Sequence, residues 1–135
     1  MRKFLAGFCL FFFSLSALAA EDLPLVAGLK ALGGPIRTIA DETAKGSQAD
    51  FAALGKAVIE VDAVWKTAMT DALDVERYGI PAAEHDEVRR TVRLMDMLVG
   101  YAADAWKRGD HGLVLRAAGR LPEPYARLAA TLDLH

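Results

Sequence analysis

One cysteine is all that the 135 residues contain, and it lies at position 9 inside an N-terminal apolar run. Past that run the chain has no thiol, so an exported form must be held by packing alone, and disulfide scaffolds and thiolate metal centres are excluded. Serine is nearly as scarce. After residue 19 only Ser47 remains, three residues before Asp50 and just ahead of an apolar stripe, where the pair reads as a helix-capping box. No nucleophilic triad can be assembled around it. Alternation of period two is missing, which argues against a sheet. Charge of one sign is never blocked: 16 basic and 18 acidic residues are interspersed, so the basic stripe needed for nucleic acid or an anionic membrane surface is absent. No glutamate has a histidine three residues after it, which removes the carboxylate-bridged two-metal bundle.

At the N-terminus, Arg2 and Lys3 precede an apolar run centred on Leu10 to Phe13 that closes in Ala17-Leu18-Ala19. This is the pattern of an export signal, with residues 1–19 expected to be removed and 20–135 to form a single domain. A retained anchor is the competing reading, but the run is shorter than the roughly 20 residues of a spanning helix. Cys9 follows Phe8 rather than a small-residue box, which disfavours lipidation. Without Arg2 and Lys3, 14 basic residues face 18 acidic ones. The expected location is the periplasm or the exterior, with no membrane span once the signal is gone.

The rest is periodic at helical spacing. Phe51, Leu54, Val58, Val61, Trp65, Ala68, Ala72 and Val75 form one stripe, and Val88, Val92, Met95, Val99, Ala102 and Trp106 form another. These predict two long helices, about 51–78 and 81–108, joined at Tyr78-Gly79-Ile80-Pro81 and antiparallel. Gly79 serves as the left-handed stop and Pro81 opens the second. Ahead of them Asp22 can cap a helix carrying Leu25, Leu29 and Leu32, which Gly33-Gly34-Pro35 should break before a second piece with Ile36 and Ile39. Behind them Asp110 is an N-cap for Leu113, Val114, Ala117 and Leu121, and Pro122 and Pro124 interrupt that element before Tyr125 and Leu128. The expected fold is all-α, an up-and-down four-helix bundle whose first and last helices are broken by Gly-Gly-Pro and Pro-x-Pro.

Chemistry-bearing residues do not converge on this pattern. Glu60 with Asp62, and Asp71 with Asp74, read as a solvated face, as do Arg89, Arg90 and Arg93. His85, His111 and His135 fall at helix ends or the terminus, and Glu84-His85-Asp86-Glu87 points in several directions around one turn. Met95 and Met97 lie about 200° apart on a helix and cannot share an ion. Met95, Trp65 and Trp106 sit on stripe positions and read as core.

Tyr101-Ala102-Ala103-Asp104-Ala105-Trp106-Lys107-Arg108-Gly109-Asp110 resembles the third helix of the class II c-type cytochromes, the cytochrome c-prime family, and its Gly-Asp end. That likeness implies an exported four-helix bundle with haem on the last helix. The family's C-x-x-C-H would fall near Tyr125, Leu128 and Ala129, none of which can attach or ligate haem. The noncovalent cytochrome b562-like bundles use a Met in the first helix and a His in the last, and here the first helix has no Met.

The expectation is therefore an exported, non-catalytic binding or accessory bundle, a haem-less relative of those cytochromes. No catalytic residue or metal ligand is nominated, and a cofactor site is not assigned. Its partner would be a protein or small ligand of the cell envelope, engaged where Gly33-Gly34-Pro35 and Leu121-Pro122-Glu123-Pro124 interrupt the pattern, with a homodimer as an open alternative. The competing expectation is a haem-binding electron-transfer bundle whose axial ligands come from Met69, Met95 and His111. A lesser one is a metal-handling protein using His85, His111 and surface carboxylates.

Overall fold

A computed structural model describes residues 23–134, so the export signal at 1–19 and the Asp22 cap lie outside the described residues. Every regular element among the described residues is helical. The α-helices are α1 (Pro24–Ala44), α2 (Phe51–Ala68), α3 (His85–Lys107), α4 (His111–Ala118) and α5 (Pro122–Thr131). Short 3-10 turns at Gly46–Gln48, Val75–Tyr78 and Ala82–Glu84 join them. Taken together, α4 and α5 occupy the place of a fourth helix. None of the described helices is long and apolar enough to cross a membrane.

The first helix is not broken. α1 runs through Gly33, Gly34 and Pro35 without interruption. An interior proline costs about 3 kcal/mol and each glycine about 1. Against this, Leu25, Leu29, Leu32, Ile36 and Ile39 form one buried stripe that spans the proline. Burying each such side chain is worth about 1.5–3 kcal/mol, so the stripe outweighs the local penalty.

The second helix stops ten residues early. α2 ends at Ala68, yet Ala72 and Val75 beyond it are still fully buried, because the chain folds back over the core instead of continuing the cylinder. Asp71 drives this turn. Its carboxylate accepts from the Tyr78 hydroxyl at 2.6 Å and from Arg77 at 2.8 Å, so it is a structural acceptor and not part of a solvated face. The Tyr78 oxygen in turn accepts from the Leu25 amide at 3.3 Å, satisfying a first-turn donor of α1 that no side chain at Leu23 can reach. Burial, reinforced by the bond to Asp71, pushes the Tyr78 phenol up to about 12. Gly79, at φ 68°, closes the turn in the left-handed region, as its position before Pro81 suggested.

Asp50 rather than Ser47 caps α2, accepting from the Ala53 amide at 3.1 Å, while Ser47 lies in the preceding 3-10 turn. Asp110 caps α4 in the same way through Leu113. The break in the last element falls at Gly119-Arg120-Leu121; Pro122 opens α5 at its first turn and Pro124 is buried.

α1 and α2 are clasped at their junction by Glu42, which is almost fully buried. Its carboxylate accepts from the Asp50 amide at 2.7 Å and from Lys45 at 2.8 Å. The bond from Lys45, then that from the Asp50 amide, holds the Glu42 carboxyl below its ordinary value of 4.5. A lowered folded-state value means that the contribution is present above that pH and is lost as pH falls through the folded value. Glu42→Gln is therefore expected to lower the melting temperature at neutral pH, with the gap narrowing in acid. A gap between the two proteins that is as wide at about pH 3 as at pH 7 would contradict this origin.

α2 and α3 run antiparallel. The Trp65 indole donates to Asp96 at 3.0 Å, and the Trp106 ring lies so close over Gly55 that a β-carbon there would sit 2.1 Å from it. α1 meets α2 as closely at Gly28, where a β-carbon would fall 2.5 Å from that of Ala68.

Candidate functional site

The residues singled out for chemistry are dispersed. Met95 is fully buried in the middle of α3, Met69 is half-buried just past the end of α2, and His111 is exposed at the start of α4. His111 stacks between Phe51 and Trp106, at ring-centroid distances of 4.3 and 5.8 Å and interplanar angles of 9° and 11°. Phe51 is 18 residues from Met69 on α2, roughly 27 Å along the axis, and Trp106 is 11 residues from Met95, about 16 Å. The axial trio considered for haem is thus not brought together. His85 instead places its Nε2 2.7 Å from the Ile80 carbonyl. Among the described residues no three His, Cys, Asp or Glu side chains converge on a point that could hold a metal ion.

Trp65 is core, at 1% exposure, and Trp106 covers the α2–α3 crossing. Asp62 pairs with Lys66 at 3.2 Å, and Arg89 approaches Asp86 at 3.8 Å. No buried side-chain nitrogen or oxygen among the described residues lacks a hydrogen-bond partner.

What the fold does build is a groove between α1 and α5. The short α5 is anchored by Leu121 and Leu128, both buried, and by Tyr125, whose hydroxyl donates to the Leu29 carbonyl at 2.9 Å. Burial raises the Tyr125 phenol above its ordinary value. Gly33 faces this anchor, and a β-carbon there would meet the Tyr125 oxygen at 3.4 Å, an ordinary van der Waals contact. Beside it opens a cleft of about 550 Å³, with Ile36, Ala40, Ala129 and Leu134 as its apolar lining.

 

Lys30 and Arg37 stand on its rim, seven residues apart and so on one side of α1, about 10 Å from each other along the axis. Pattern reading had no signal for this groove, because Lys30 and Arg37 look like ordinary solvated residues until α5 is laid beside α1.

No protein-family model, no curated protein and no solved structure matches the chain.

Proposed function

We propose that the protein is an exported, non-catalytic binding protein of the cell envelope, an up-and-down bundle in the manner of a haem-less class II cytochrome, and that the α1–α5 groove is its binding surface. The observation that carries this reading is the groove's composition: an apolar lining with Lys30 and Arg37 on its rim, in a chain whose acidic residues outnumber its basic ones. Its position supports the same reading, since it lies where Gly33 and the segment after Pro122 meet. The 550 Å³ volume is in the range of small-ligand sites. The chemistry that fits is an anionic amphiphile, with a carboxylate held between Lys30 and Arg37 and an alkyl chain along Ile36, Ala129 and Leu134.

Titration calorimetry with dodecanoate tests this. Saturable binding at one site is expected, weakened about tenfold by Arg37→Glu, which is about 1.4 kcal/mol. Dodecyltrimethylammonium should bind more weakly than dodecanoate. Equal affinity for the two amphiphiles, or no response to Arg37→Glu, would overturn the assignment.

A further inference from the structure

α3 carries a second stripe, of which only Leu94 is half-buried against the molecule's own core. Its inner face buries Val88, Val92, Met95, Val99 and Ala102. On the outer face Arg90, Leu94, Met97, Tyr101 and Asp104 follow one another at spacings of 4, 3, 4 and 3, with Glu87 and Arg108 continuing the series at either end. That is the heptad spacing of a helix that packs against another helix. Its centre is apolar and open to solvent: Met97 is 46% exposed and Tyr101 54%, and among the described residues only Ile59 joins them as an exposed large apolar side chain.

We infer that this face pairs with the same face of a second copy, α3 against α3, antiparallel about a two-fold axis at Met97. The argument is self-complementarity, which a two-fold interface demands. With Met97 on the axis, Leu94 meets the partner's Tyr101, Arg90 meets the partner's Asp104, and Glu87 meets the partner's Arg108. Each contact occurs twice, and every charged pair is attractive. A parallel arrangement in register would set Arg90 against the partner's Arg90. A receptacle is also present. A cleft of about 300 Å³ lined by Glu87, Arg90, Thr91, Leu94 and Arg127 lies between α3 and α5, beside Leu94, where the partner's Tyr101 arrives. The Arg127 guanidinium can cover the phenol face there. This surface is separate from the α1–α5 groove, so dimerisation and ligand binding stand or fall independently.

Sedimentation equilibrium of the full chain, from about 1 µM to about 1 mM, tests the pairing, with Arg90→Asp, Asp104→Arg and the double swap alongside. A monomer–dimer equilibrium is expected. Each single reversal replaces two attractive pairs by two repulsive ones and should weaken dimerisation about tenfold or more, while the swap restores it to within about threefold. All the altered side chains are exposed, and far-ultraviolet circular dichroism verifies that each variant is folded. A chain that stays monomeric throughout, single variants that dimerise like the parent, or a swap as weak as its singles would each overturn the proposal.

Discussion

Trp65→Ala is expected to remove about 3–5 kcal/mol of stability, a large part of the 5–15 kcal/mol that holds a domain of this size. Trp65 is the largest fully buried side chain among the described residues and sits 1% exposed on α2. Truncating it empties space in the core beside α3 and deprives Asp96 of its indole donor. Asp96 is exposed, so its carboxylate can return to water, and the loss should be dominated by the cavity. Trp65→Phe separates the two terms. It keeps most of the volume and forfeits the N–H with a smaller part of the ring, for which about 1–2 kcal/mol is expected. Urea unfolding followed by circular dichroism measures both. A Phe variant as unstable as the Ala variant would show that the hydrogen bond, not the volume, governs the site.

Gly28→Val should be the next most damaging change, at about 2–3 kcal/mol. The new β-carbon would fall 2.5 Å from the Ala68 β-carbon and 3.5 Å from its α-carbon, so the backbones of α1 and α2 must separate. Intrinsic helix propensity favours valine over glycine, which makes any loss attributable to packing. Thermal unfolding should show a fall of roughly 10 °C. Ala68→Gly in the same chain removes the obstructing methyl and should recover part of that fall. A double variant no more stable than Gly28→Val alone would place the strain elsewhere.

The helical class, the turn at Gly79 and the Asp110 cap were legible in the residues. Each rests on a local rule that nothing distant overrides. The continuity of α1 was not legible, because Gly33-Gly34-Pro35 signals a stop and only the shared burial of Leu32 and Ile36 overrules it. The early end of α2 was hidden for the opposite reason. Ala72 and Val75 keep the apolar spacing and stay buried, but the bonds from Tyr78 and Arg77 to Asp71 bend the chain. The groove was illegible in the residues of either helix taken alone, since it exists only once Tyr125 has found Leu29, a partner 96 residues away.

That separation bears on the order of assembly. The Glu42–Asp50 clasp spans only 8 residues, so α1 and α2 can form a hairpin at little loop-closure entropy. Tyr78 reaches Leu25 across 53 residues, and Tyr125 reaches Leu29 across 96. Closing entropy grows with each span, which sets α5 to dock last onto a hairpin already made. The groove would then be the final feature of the molecule to appear, and the first to be lost when the C-terminal helix lifts away.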